Sequence, residues 1–359
     1  MKLARILRDG PDGPRPRIVA VDPEAGRATD LARAEQLRLE RRGCTPATAR
    51  RLADAHLPQD LAAGLGSPSY REDLERAAAE DPPDDAVLEL DGARWLTPLD
   101  PPRFRDFMAF EQHFVSARAV RGNPVPDVLY TLPVYYKAGH LSLLAHEQTM
   151  EWPAYCEWMD YELELGFVVG GTGVDLTAEE AEQRLFGVTL LNDFSARDRQ
   201  FEEVAGGLGP AKGKDFGTAL GPWITTLDEL DPLEISLAAR VNGQLWSSGR
   251  SGSALWSAGE LTAYLSTAEP LVPGELIGSG TVGGGCGLEL GNRLVPGDVV
   301  ELEGSGLGTL RTRLGEPRQL RWAPQERIPG QMVDGRRGIE PTPLAALRPD
   351  APPPPVPRR

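Results

Sequence analysis

Residues 160–169 read DYELELGFVV, an alternation in which every polar position is an acid. Side chains on a strand point to opposite faces in turn, so Asp160, Glu162 and Glu164 share one side. Tyr161, Leu163, Leu165 and Phe167 share the other. Same-side neighbours on a strand stand roughly 7 Å apart, and like charges that close disfavour one another's ionised forms. No basic residue lies between these three. Two readings answer the repulsion: the face is solvated and the repulsion weak, or the acids converge on a hard cation. A half-buried strand follows in either case, and the rest of the chain decides between them.

A chain of 359 residues can fill one large domain or two moderate ones. Its 38 basic and 53 acidic residues leave a formal charge of −15, which speaks against a nucleic-acid or anionic-membrane surface. Cys44, Cys156 and Cys286 are odd in number and lack zinc-ligand spacing, so neither a disulfide framework nor a structural zinc is expected. The opening MKLARILRDG has no apolar segment suited to a signal peptide, and no run approaches membrane-span length. A soluble, cytoplasmic protein is expected.

Texture changes along the chain. Residues 1–97 open with the strand-like runs LARIL and PRIVAVD, continue through a charged, alanine-rich helical stretch, and close on AVLELDGARWL, where Asp91-Gly92 signals a hairpin. TPLDPPR marks a boundary. From residue 98 the chain is glycine-rich and strand-rich, with candidate strands in LFGVTLLND, GPWITTL, LEISLAARVNGQLW (turning at Asn242-Gly243) and DVVELEG. Thr177 and Glu180 have capping-box spacing. PDAPPPPVPRR, residues 349–359, reads as an extended, disordered tail. The sum is a β-rich α+β protein: a small N-terminal α/β domain over 1–97, then a larger domain over 98–348.

Several residues outside the acidic strand carry chemistry. In RDFMAFEQHF, Asp106 and His113 lie seven apart, nearly two turns, and would share a face if the segment were one helix. In LLNDFSARDRQ, Asp193 leaves an apolar strand where a helix begins, either as an N-cap or as an oxygen ligand at the mouth of a sheet. Gln200 would follow two turns along. GPAKGKDFGTALGP offers Lys212 and Lys214 on a pliable loop that does not match a phosphate-binding pattern. GSGTVGGGCGLELG holds Thr281, Cys286 and Glu289. Nothing beside Cys286 in sequence would lower its pKa, and it reads as structural.

These motifs, RDFMAFEQH, YELELGFVVG, LLNDFSARDRQ, GPAKGKDFGTALGPW and GTVGGGCGLELG, stand in the order seen in the fumarylacetoacetate hydrolase family, which residues 98–320 resemble. The resemblance implies a mixed-strand β-roll catalytic domain of the fumarylacetoacetase type, assembled as a homodimer. It implies that Asp106, Glu162, Glu164 and Asp193 hold a divalent cation. Four carboxylates suit Mg²⁺ first, with Ca²⁺ or Mn²⁺ as alternatives. The two glutamates of the opening strand become ligands, while Asp160 has no matching role and keeps the solvated-face reading.

The resemblance further implies that His113 is the general base for a hydrolytic water, that Glu289 orients its imidazole, and that Lys214 stabilises the oxyanion. The backbone near Lys214 and Thr218 would help to hold a second cation. Arg121, Tyr136, Gln200 and Thr281 match substrate-contacting positions, Arg121 as a clamp for a carboxylate. Met108 and Val204 stand where members that cleave fumarylacetoacetate carry tyrosines, which favours an acyl substrate with a more apolar end. The expected activity is metal-dependent hydrolysis of a carbon–carbon bond in a β-diketo acid of the fumarylacetoacetate or acylpyruvate type. The alternatives are a decarboxylase, isomerase or hydratase of a 2-oxo or enol acid using the same metal, and a non-catalytic metal-binding protein that kept the fold.

Overall fold

The acidic strand enters the middle of a twelve-stranded sheet as Leu163–Val169, all seven residues buried. It pairs antiparallel with Leu185–Asp193 on one side and Leu276–Gly278 on the other. The computed structural model describes residues 1–9, 13–79 and 82–324, together with a pairing of Met332–Val333 with Arg336–Arg337. Both faces of the strand are covered, so the half-buried strand that the alternation implies is buried throughout. Leu163, Leu165, Phe167 and Val169 pack with Leu237, Ala239, Val300, Leu302 and Leu310 of a second, five-stranded sheet. On the opposite face Val168, Leu191, Leu220 and Ile224 share a core with Leu31, Leu61, Tyr70 and Leu74 of the N-terminal helices.

Those helices begin where capping residues dictate. Asp30 accepts from the Arg33 amide ahead of Leu31–Arg41, Thr45 accepts from the Thr48 amide ahead of Pro46–His56, and Asp60 caps Leu61–Leu65. Thr177 and Glu180 form a reciprocal capping box before Ala178–Glu182. Asn242 and Gly243 adopt φ of 51° and 78° and join Ser236–Val241 to Gln244–Arg250, as a two-residue primed turn requires.

Two sequence expectations change. The stretch around Asp91-Gly92 is not a hairpin: Val87–Glu89 pairs with Arg27–Asp30, while Trp95–Leu96 pairs with Lys2–Arg8. Leu88, Leu90 and Trp95 pack against the apolar face of Ala4, Ile6 and Val19, so burial overrides the local turn signal. The change of texture near residue 98 is also not a break in packing. Lys2–Arg8 pairs directly with Thr218–Thr226, Leu3 and Ile18 share a core with Leu191 and Leu220, and Met1–Arg318 forms one compact unit. Gln319–Arg359 is a second unit; residues 349–359, the proline-rich stretch, lie outside the described residues. The large sheet is mixed, because Phe104–Phe107 runs parallel to Leu276–Gly278 while most pairs are antiparallel. Among the described residues, no helix is long and apolar enough to cross a membrane.

Candidate active site

The face of the central strand that carries Val168 ends in Glu162 and Glu164, beyond the cover of the N-terminal helices. Three elements bring acids to that end. Glu164 comes from the central strand, Asp193 from the last position of Leu185–Asp193, and Asp106 from Phe104–Phe107. One oxygen from each of Asp106, Glu164 and Asp193 lies within 4.8 Å of the others, and all three residues are buried. Asp106 therefore reaches the site from a strand and shares no helix with His113, whose helix is Glu111–Val120. Gly278 stands opposite Asp106 in the parallel pair, and any side chain there would collide with the Asp106 carboxylate. Asp193 is likewise no N-cap, since the next helix is Arg197–Ala205, after the short Ser195–Ala196 strand. Gln200 lies one turn into that helix, and its Oε1 accepts from Arg197 at 3.0 Å.

The electrostatics of this cluster are uneven. Asp106 Oδ1 and Glu164 Oε2 are buried without a hydrogen-bond donor. Burial and then Asp193 push Asp106 well above the usual carboxylate range; burial and then Asp106 and Glu162 do the same to Glu164. Glu162 behaves oppositely. Burial works against its charge, but Arg197 Nη1 at 2.8 Å and Lys214 Nζ at 2.5 Å hold it well below the usual range. Lys214 also pairs with Asp193, and this company keeps it charged in spite of full burial. Oxygen donors lacking partners, with pKa values raised by burial and then by neighbouring acids, are what a divalent cation would relieve, and the all-oxygen set suits a hard ion. Asp106, Glu164 and Asp193 could hold it. Glu162 lies alongside, engaged by two side-chain cations.

Asp160 does not face solvent. It is 1% exposed and pairs with Arg197 through Nε at 2.9 Å and Nη2 at 2.7 Å. The repulsion that alternation implies on one strand face is thus met from a separate element: Arg197 bridges Asp160 and Glu162, and Lys214 bridges Glu162 and Asp193.

His113 approaches from the other side. Its Nδ1 lies 2.7 Å from Glu289 Oε1, and the second oxygen of Glu289 accepts from the Gly284 amide at 3.0 Å. A carboxylate only accepts, so Nδ1 carries the proton and Nε2 is left as the basic atom. Cys286 donates weakly to Glu289 from 3.5 Å; burial pushes its thiol well above the ordinary value, which leaves it inert.

A cavity of about 280 Å³ joins the two halves. Asp106, His113, Glu162, Glu164 and Lys214 line it, as do Arg121, Tyr136, Gln200 and Thr281 and the apolar Met108 and Val204. Tyr136 donates to Asp193 at 2.8 Å, with burial holding its phenol protonated, and Thr281 donates to Glu164 at 3.1 Å. The Arg121 guanidinium lies 4.1 Å from the centroid of the Phe201 ring. Thr218 stands behind Asp193, donating to it at 3.2 Å. Sequence reasoning passed over Arg118 and Arg197, both on the cavity wall. Arg197 could have been found, because a row of buried acids needs a cation and LLNDFSARDRQ supplies one.

A mixed sheet whose central strand delivers paired glutamates to a cavity shared with a His–Glu pair defines the class. The family model described as "Fumarylacetoacetate (FAA) hydrolase C-terminal" matches residues 103–315, and the chain belongs to that family. An uncharacterized protein of Staphylococcus aureus (strain COL) is 29% identical over 269 residues, covering 72% of this chain and 87% of the relative. Among solved structures, a fumarylacetoacetate hydrolase from psychrophilic Exiguobacterium antarcticum superposes with a TM-score of 0.65 at 25% identity, over 88% of this chain and 99% of that one. A maleylpyruvate hydrolase from Sphingobium (TM-score 0.63, 19% identity, 88% and 99% covered) and a 5-carboxymethyl-2-hydroxymuconate delta-isomerase from Mycobacterium smegmatis (0.60, 22%, 89% and 100%) share the fold.

Proposed function

We propose that this protein is a divalent-metal-dependent hydrolase that cleaves a carbon–carbon bond of a β-diketo acid, of the acylpyruvate or fumarylacetoacetate type. The observation that carries the reading is the His113–Glu289 pair facing Lys214 and the buried carboxylates across one cavity. Asp106, Glu164 and Asp193, with Glu162 beside them, would hold the cation, Mg²⁺ before Ca²⁺ or Mn²⁺. When bound, such an ion polarises substrate oxygens and offsets enolate charge.

The remaining steps belong to side chains of this chain. Arg121 binds a substrate carboxylate, and Gln200 and Thr281 orient the chain of the substrate. His113 Nε2 takes a proton from water as its oxygen adds to the acyl carbonyl. Glu289 fixes the tautomer and offsets the imidazolium that forms. Lys214 donates to the oxyanion. Collapse breaks the carbon–carbon bond; the electron pair moves into the enolate of the leaving fragment, and His113 returns its proton there. Met108 and Val204 on the cavity wall favour an apolar acyl end. Assembly as a homodimer belongs to the same reading.

Turnover of an acylpyruvate with Mg²⁺ in ¹⁸O-water tests it. Hydrolysis puts solvent oxygen into the new carboxylate at the first turnover. A decarboxylase releases carbon dioxide without labelling an acid fragment, an isomerase gives no fragments, and either result refutes the proposal.

A further inference from the structure

Asp160, the acid that strand alternation assigns to solvent, receives five donors. Its Oδ1 accepts from the Gly287 amide at 2.7 Å and from the Tyr161 amide at 3.0 Å. Its Oδ2 accepts from the Leu288 amide at 3.0 Å and from Nε and Nη2 of Arg197. Gly287 and Leu288 begin the short Gly287–Leu290 helix that carries Glu289, and the residue before it, Cys286, supplies no side-chain cap of its own. We infer that Asp160 is a positioning residue for the His113–Glu289 pair: its carboxylate clamps the backbone on either side of the Gly287–Leu288 bond and so sets Glu289 against the imidazole. As a statement about catalysis this rests on the reading of His113 given above; as a statement about geometry it does not.

Three features of the site support the clamp. Asp160 is not on the cavity wall, so it acts through other groups. All five of its partners are donors, so an amide in its place would turn an NH₂ toward N–H groups on at least one side. A Cβ on Gly287 would stand 2.6 Å from Asp160 Oδ1 and 2.8 Å from the Asn292 carbonyl oxygen. The close approach of carboxylate to backbone therefore requires glycine. Arg197 extends the consequence, because one guanidinium holds Asp160 and, at 2.8 Å, Glu162. The base pair and the acidic cluster thus hang from one buried ion pair.

The test reads the clamp without turnover. The chain has four histidines, so the downfield Nδ1 proton of His113 in a ¹⁵N-histidine sample can be assigned by its loss in His113→Ala. Asp160→Asn and Gly287→Ala should each lose that proton to exchange, with the backbone amide spectrum otherwise folded. Mg²⁺ affinity of Gly287→Ala, which keeps both the Asp160 carboxylate and the Arg197 guanidinium, should stay within about twofold of wild type. With an acylpyruvate as substrate, each variant should lose ~10²-fold in kcat, the scale of a small misplacement. Gly287→Ala should cost no more than about a further twofold in a His113→Ala background, as a residue acting through one group requires. An unchanged His113 proton in both variants overturns the inference, and so does an undiminished cost of Gly287→Ala in the His113→Ala background. If Asp160→Asn does not fold, Gly287→Ala decides. A protein that turns over no acylpyruvate refutes the proposed activity and leaves the imidazole proton to judge the clamp.

Discussion

Replacing Glu164 by Gln removes one ionisable oxygen pair from the carboxylate cluster and keeps its shape, including an oxygen to accept from Thr281. The sign of the stability change separates a cation site from a structural polar cluster. At an effective dielectric of about 20, two ionised carboxylates at the 4.8 Å limit of the Asp106–Glu164–Asp193 cluster repel by roughly 3.5 kcal/mol. Partial protonation and relaxation reduce what is realised to ~1–3 kcal/mol. The unfolding entropy of the Met1–Arg318 unit, at about 2.1 cal/mol/K per residue, is about 0.7 kcal/mol/K. The metal-free variant should therefore melt ~2–5 °C above metal-free wild type at about pH 8.

The pH dependence has a fixed sign. Asp106 and Glu164 have raised pKa values when folded, from burial first and from neighbouring acids second. Their contribution is fully present below the unfolded range near pH 4 and is lost as pH climbs through the raised values. Wild type in EDTA should soften, as pH rises above the ordinary carboxylate range, more steeply than Glu164→Gln. With Mg²⁺ added, wild type should gain stability increasingly toward high pH, and the variant should gain almost none. Scanning calorimetry of both proteins at three pH values, with EDTA or Mg²⁺, measures all four curves. A variant less stable than wild type in EDTA at pH 8, or one that keeps the Mg²⁺-induced rise, refutes the assignment of these carboxylates to a cation.

Other expectations follow from single contacts. Arg197→Met strands two buried carboxylates, Asp160 and Glu162, and should cost ~3–5 kcal/mol in denaturant unfolding, while a change below 1 kcal/mol would mean that water replaces the guanidinium. His113→Ala should lower kcat ~10²–10⁴-fold and leave Mg²⁺ binding by titration calorimetry intact; full activity would remove the residue from the mechanism. Lys214→Met should cost ~10²-fold or more in hydrolytic turnover, measured at saturating substrate. Met108→Tyr with Val204→Tyr should shift the ratio of kcat/KM values toward fumarylacetoacetate over simpler acylpyruvates, and an unchanged ratio would separate these two positions from substrate choice.

The period-two pattern of residues 160–169 locates the central strand because it is a direct record of the pleat. Asn242-Gly243 and Thr177–Glu180 were legible for the same kind of reason, since each is a local rule satisfied by adjacent residues. Asp160 was not legible. Periodicity says which side chains share a face and nothing about what covers it, and the cover here comes from Arg197 and from the Gly287–Leu288 amides, 37 and more than 120 residues away. Asp106 and His113 are seven apart, a helical spacing that the chain does not use. Phe104–Phe107 is buried at all four positions as a strand before the helix starts at Glu111. The candidate ligands emerged from the resemblance of five motifs in order, because no spacing rule connects acids that three separate strands deliver.

The pairing of Lys2–Arg8 with Thr218–Thr226 has a consequence for how the protein is made. A ribosome adding about 5–20 residues per second finishes the first strand roughly 10–40 s before its inner partner emerges. During that interval Lys2–Arg8 can pair with Arg15–Asp22 and, through Arg5 and Ile6, with Trp95–Leu96, but the Lys2–Leu3 end of its second edge is open, and the helices after it have no Leu191, Leu220 or Ile224 to sit on. The first hundred residues therefore cannot complete their core at birth, and a chain stalled before residue 218 presents the unpaired Lys2–Leu3 end of a strand beside uncovered leucines, an aggregation liability. Quality control acting on nascent chains should meet this protein as a late folder, engaged by chaperones until Leu185–Asp193 and Thr218–Thr226 bring the middle of the sheet.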